Sequence, residues 1–178
     1  IPIQHDYEGA PKQLSKKMVI EKLKPLLEKV PVVGQHIKFD RNVLAQHGLE
    51  INNIASDSML MSYVLDSTAT RHNLDAMAKF YLNYATTTYE EVAGKGVKQI
   101  TFNQVDLDAG SDYAAEDADV TFRCYELLKE KLAKTPKLEK VLTEIDLPMI
   151  KVLSEVEQNG ALVDSEVLRI QSNNLGQR

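Results

Sequence analysis

Tyr113 and Asp117 stand four residues apart in the run Tyr113-Ala114-Ala115-Glu116-Asp117-Ala118-Asp119-Val120. On a helix they lie one turn apart and share a face. A phenol hydroxyl beside a carboxylate can help to hold a metal and to orient a water next to it. Taken alone, the pair also reads as an acidic solvated face on which Tyr113 packs as an amphipathic anchor. The rest of the chain has to decide between the two.

The segment that carries the pair, roughly Asp106 to Lys134, has few helix breakers after Gly110, and its apolar residues Ala114, Val120, Phe122, Leu127 and Leu128 recur at near-helical spacing. A long helix is expected there. Upstream, Ile1-Pro2-Ile3 reads as the end of a strand and Asp6 to Leu14 as a turn-rich loop. Ser15 is a good cap for a helix running to about Lys29. Pro31-Val32-Val33-Gly34 is short, apolar and bounded by breakers, so a buried strand is expected. A helix follows from about Phe39 to Gly48, then a strand over Leu49 to Ile54, then helices opened by Asp57 and by Asn73. Tyr84 to Asn103 reads as a connecting region. Its Gly94-Lys95-Gly96 lacks the glycine spacing and the following hydroxyl of a phosphate-binding loop. Thr135-Pro136 is the expected domain boundary. A second helical segment, Leu138 to Asn159, carries Pro148 as a kink or restart. Gly160 ends it, and Asp164 caps one more helix. Strands alternating with helices point to an α/β domain.

Composition narrows the function. Hydrophobic residues make up 43% of the 178, enough for a packed core. The net charge of −5 argues against holding duplex DNA through a broad basic surface. It leaves room for a nuclease, because carboxylates gathered to bind divalent cations make a domain acidic while the cations face the phosphates. The single cysteine, Cys124, excludes an internal disulfide framework and fits a reducing cytosol. No apolar run approaches the length of a membrane span, and no signal peptide is visible.

Several stretches, in order, resemble one family. The Tyr113 to Thr121 run resembles the third motif of the proofreading 3′→5′ exonuclease domain of bacterial family A DNA polymerases, the polymerase I type. Val33-Gly34-Gln35-His36-Ile37-Lys38-Phe39-Asp40 is similar to the second motif. Thr70 to Asp75, Glu90 to Gly96 and Thr101 to Val105 are similar to segments between them, and Glu144 to Asp164 resembles the entry into the polymerase domain.

The resemblance implies a ribonuclease H-like exonuclease fold, a mixed sheet flanked by helices, over residues 1–134, with the first polymerase-domain helices over 135–178. It implies metal-dependent hydrolysis of the 3′-terminal phosphodiester of DNA by two ions, Mg²⁺ or else Mn²⁺ or Zn²⁺, roughly 4 Å apart. Asp117 would ligate the metal that activates water, and Asp40 would serve the second metal directly or through its waters. Tyr113 would aim the attacking water, a feature of the subclass shared with ribonuclease D. Arg71 matches a position near the scissile phosphate, and Tyr89 an aromatic lining the single-strand groove. A surface ion pair and a core-edge aromatic are their plainer readings. His36 and Phe39 stand where many relatives have Asn and Tyr; Phe39 keeps a stacking surface toward DNA but loses a hydroxyl. Glu116 and Asp119 fall on other helix faces and read as solvated, or as one step removed from any metal. The implied partners are a single-stranded 3′ end and the remainder of a polymerase chain, in the bacterial cytoplasm at the nucleoid, with no membrane.

One element of the pattern is not matched. The family opens on an Asp-x-Glu strand whose carboxylates complete the metal site. Asp6-Tyr7-Glu8 has those letters, but it sits in a turn-rich stretch, closer to Asp40 than the pattern suggests. The expectation is that the first strand lies upstream of Ile1 and that these residues alone are inactive. Two other readings stand beside the active exonuclease. One is an exonuclease-like module that only braces a polymerase; the other is a ribonuclease D-like enzyme trimming RNA, against which the Glu144 to Asp164 stretch speaks.

Overall fold

Several helix starts in this chain are set by short polar side chains that take up orphaned amides. In the computed structural model, which describes residues 1–176, the Ser15 hydroxyl accepts from the Met18 amide and opens α1 (Lys16–Leu27). Strand β1 (Val32–Gly34) follows, and α2 (Ile37–Ala45) starts two residues earlier than the sequence suggests. Strand β2 (Ile54–Asp57) pairs in parallel with β1, matching Val32 to Ile54, Val33 to Ser56 and Gly34 to Asp57 with an irregularity after Val32. Asp57 caps α3 (Ser58–Leu65), and Asn73 caps α4 (Leu74–Met77), which passes into a π-helical turn over Ala78–Leu82. Helix α5 (Tyr89–Ala93) precedes the long α6 (Leu107–Leu132), whose first turn donates two amides to Asp106.

Three expectations change. No strand forms over Ile1–Ile3. The strand expected over Leu49 to Ile54 begins only at Ile54; Leu49 and Ile51 are buried as irregular chain, so their apolar character reflects burial and not strand pairing. The region from Tyr84 to Asn103 contains α5, whose start is fixed by a reciprocal Thr88–Glu91 capping box. Among the described residues the sheet has two strands, both parallel, where a mixed sheet was expected; the architecture is α/β and mostly helical.

Beyond α6 the chain runs through α7 (Pro136–Val141), a π-helical turn (Leu142–Asp146), α8 (Leu147–Asn159) and α9 (Ser165–Gly176). Pro148 follows closely on the π-helical turn, and the backbone stays helical through Asp146 and Leu147, so the expected kink or restart takes the form of a π-helical irregularity within one continuous helical run. Residues 177–178, the end of the expected second domain, lie outside the described residues. The main core joins Met61, Met77 and Ala78 to Val120, Cys124, Leu128 and Leu132 of α6, and Leu142 enters it from beyond α6. A second cluster of Ile37, Ile51 and Ile150 ties α2 to α8. Among the described residues no helix is long and apolar enough to cross a membrane.

Candidate active site

Asp40 and Asp117, 77 positions apart in sequence, line one open cleft of about 560 Å³ together with Gly34, Gln35, Thr121 and Phe122. Asp117 comes from the middle of α6, a 26-residue helix roughly 39 Å long whose buried stripe runs through Val120, Thr121, Cys124 and Leu128. That stripe fixes the rotation of α6 and turns Ala114, Asp117, Ala118 and Phe122 to the cleft. Phe122 is 56% exposed and forms part of the cleft wall.

Asp40 lies in the first turn of α2, and that helix is held differently. Its N-cap residue, His36, adopts the left-handed conformation (φ 56°) and offers no capping side-chain bond. The Ile37 amide instead donates to Asp57 Oδ2 at 2.7 Å, while Asp57 Oδ1 accepts from Leu60 at 3.1 Å. One buried carboxylate thus closes the N-termini of both α2 and α3, and it can do so because β1 and β2 lie side by side. Gly34 belongs to the same junction, since a Cβ there would fall 2.8 Å from the Ile37 Cβ.

Electrostatics set the two carboxylates apart from ordinary surface acids. Desolvation by the cleft walls raises the Asp40 pKa; His36 opposes the rise and Asp57 adds to it. Desolvation also raises that of Asp117; Tyr113 offsets it, and the charges of Asp75 and Glu116 reinforce it. Tyr113 is half-buried, and burial together with the Asp117 carboxylate pushes its pKa up to about 12. The phenol therefore keeps its proton at neutral pH and acts as a hydrogen-bonding group. Its ring is wedged by Phe102 at 6.0 Å and Tyr89 at 6.3 Å, and Tyr89 stacks on Phe102 in turn.

The remaining expected residues fall into place unevenly. Tyr89 joins this aromatic cluster while staying 38% exposed. His36 and Phe39 stack on each other, with the Phe39 ring 62% exposed. Arg71 is exposed on the loop anchored by buried His72 and is not among the cleft-lining residues. Glu116 accepts from the Tyr84 hydroxyl at 2.6 Å and the Thr87 amide at 2.8 Å, which ties the approach to α5 onto α6. Asp119 pairs with Arg123. Asp6 is bonded to Asn103, and Tyr7 to Asp106 and the Leu107 amide at the start of α6. The Asp6–Glu8 pair is therefore moored about ten residues, roughly 15 Å of helix, from Asp117. Sequence reasoning missed Asp57 and Asp75. The cap signal of Asp57 is visible in the sequence, but its second bond depends on the strand pairing.

Two desolvated carboxylates facing one cleft fit a hard divalent cation, for which oxygen donors of this kind are suited. Among the described residues no three His, Cys, Asp or Glu side chains gather at one point.

Fold and site together define an α/β domain with two desolvated carboxylates on one cleft and, beside one of them but not itself lining the cleft, a protonated phenol. A sequence profile of the 3′-5′ exonuclease family matches residues 3–133. DNA polymerase I of Pseudomonas aeruginosa is 50% identical over 182 residues, covering 100% of this chain and 20% of that protein. DNA polymerase I of Rhizobium leguminosarum is 37% identical over 94% of the chain, and that of Borreliella burgdorferi 35% over 88%, covering 16% and 17% of those proteins. The chain belongs to this 3′-5′ exonuclease family. It spans a fifth or less of the length of these curated relatives.

Proposed function

We propose that the chain is the proofreading part of a bacterial DNA polymerase I, hydrolysing the 3′-terminal phosphodiester of single-stranded DNA. The observation that carries this reading is the meeting of Asp40 and Asp117 in one cleft, with the Tyr113 phenol beside Asp117. On this reading the fold is the ribonuclease H-like exonuclease fold, residues 1–134 form the exonuclease domain, and 135–178 begin the polymerase domain. The protein works in the cytoplasm, at the nucleoid.

Asp40 and Asp117 hold two divalent ions, Mg²⁺ or else Mn²⁺ or Zn²⁺, with help from further carboxylates. Bound there, such ions supply Lewis-acid polarisation of the phosphate and lower the pKa of a bound water. Tyr113, fixed by Phe102 and Tyr89, accepts or donates one hydrogen bond to the attacking water and sets its direction. Phe39 and His36 offer a stacked aromatic pair to a base, Tyr89 a second ring, and Arg71 a cation to the phosphate backbone. Among the described residues, the carboxylates that line the cleft are Asp40 and Asp117. That is too little negative charge to hold two cations about 4 Å apart, so the isolated chain is expected to trim no DNA.

A second reading is a silent module that braces a polymerase. The polymerase names of the relatives favour both over RNA trimming. The deciding experiment follows 5′-labelled single-stranded DNA with Mg²⁺, using the polymerase that contains this chain. Stepwise loss of 3′ nucleotides, stopped by a chelator, is expected; an intact label pattern with normal nucleotide incorporation would leave the silent module.

A further inference from the structure

Helix α2 turns Asp40 to the cleft and its other side to α8. Immediately after Asp40, Arg41 is only 9% exposed and its guanidinium donates to Ser154 Oγ. The Ser154 hydroxyl donates to Asn42 Oδ1, and Asn42 Nδ2 donates to Glu157 at 2.7 Å. Lys38 pairs with the same Glu157, and Gln158 reaches Asn42 at 3.2 Å and Ser154 at 3.1 Å. Beneath this polar layer Ile37 packs with Ile150. Three residues of α2 are thus held by three of α8.

Nine residues are too few for a helix to persist on its own. Neighbouring positions on a helix point about 100° apart, so clamping Arg41 and Asn42 fixes the rotation of α2 and hence the aim of Asp40. We propose that Ser154 and Glu157 are positioning residues for Asp40: the docking of α8 sets the carboxylate at the cleft. The site is then built jointly by the stretch matched to the exonuclease family, residues 3–133, and by a helix beyond it. Displacing α8 loosens the hold on a divalent cation. The inference rests on reading Asp40 as a metal-holding residue.

The test uses the whole chain, with hydrogen exchange read on peptides of α2 and α6 and Mn²⁺ binding read by electron paramagnetic resonance. Ser154→Ala leaves the Arg41 guanidinium without its acceptor. It is expected to speed exchange in α2 about tenfold, leave α6 unchanged, and weaken Mn²⁺ binding several-fold. Lys38→Glu and Glu157→Lys are each expected to speed α2 exchange, and the two together to restore it in part, because the swap rebuilds the ion pair while the lysine cannot accept from Asn42 Nδ2. This swap also carries the test if Ser154→Ala fails to fold. Unchanged α2 exchange overturns the inference, as does a uniform rise across α2 and α6. If Asp40→Asn weakens Mn²⁺ binding while Ser154→Ala does not, the inference alone falls. Mn²⁺ affinity indifferent to Asp40→Asn overturns the reading of Asp40 itself and this inference with it.

Discussion

The two helices that meet at the cleft are built on opposite plans. α6 has its own cap in Asp106, 26 residues of length, and a long stripe buried against Met61, Met77 and Ala78. α2 has nine residues, a left-handed N-cap residue without a side-chain bond, and two props from elsewhere in the chain, Asp57 at its start and α8 along its flank. Asp117 therefore inherits its position from a helix that stands by itself. Asp40 inherits its position from the tertiary structure. A site assembled this way is only as well ordered as its less independent half.

The contrast is sharpest if both halves are indispensable to the chemistry. On the proposed function, Asp117→Ala and Asp40→Ala in the parent polymerase are each expected to lower 3′ trimming by a factor of about a thousand or more, with nucleotide incorporation near normal. Retention of more than about a tenth of the wild-type rate by either variant would remove that residue from the site. A mild Asp40 variant beside a dead Asp117 variant would make α2 a bystander.

Tyr113 probes the self-supporting half alone. Tyr113→Phe keeps the ring and its contacts with Phe102 and Tyr89 and removes only the hydroxyl. Loss in the chemical step of about ten- to a thousandfold is expected, with single-strand binding unaltered. Normal cleavage by the Phe variant would reduce Tyr113 to a packing residue.

The same contrast governs what could be read from the sequence. The long helix, the Tyr113–Asp117 spacing and the Ser15, Asp57, Asn73 and Asp164 caps are local signals, fixed by residues within one or two turns, and all were legible. The strand at Ile54–Asp57 was placed several residues early because Leu49 and Ile51 are buried without pairing. Nothing local marks Asp57 as the cap of α2, or Arg41 as a docking residue, because the partners lie 20 and 113 positions away. The half of the site that leans on the tertiary structure is the half that sequence describes least.

A substitution at Asp57 can separate the two roles of that carboxylate. Asp57→Ser keeps a good cap for α3 but is too short to reach the Ile37 amide as well. The buried amide left without an acceptor is expected to cost about 1–3 kcal/mol of unfolding free energy, measured by urea denaturation. A difference below about 0.5 kcal/mol would mean that α2 is held well enough by α8 and its apolar face.

The smallest expected effect concerns charge. Asp117 has a pKa raised by desolvation, so the folded chain binds its proton more tightly than the unfolded chain does. For such a group stability is greatest below the unfolded pKa, near 3.9, and declines as the pH rises through the folded value. Ionised Asp117 is thus a mild burden on the metal-free fold at neutral pH. Asp117→Asn, which preserves shape and removes the charge, is expected to be at least as stable as the wild type at pH 7. That advantage should vanish near pH 3, where both side chains are neutral. Asp40, raised for the same leading reason, gives the same sign in Asp40→Asn, with the attraction to His36 offsetting part of the gain. Thermal melts of the metal-free chain at the two pH values decide the point. An Asp117→Asn variant less stable than wild type at pH 7, and equally so at pH 3, would show that the carboxylate braces α6 structurally, and the independence of that helix would have to be given up.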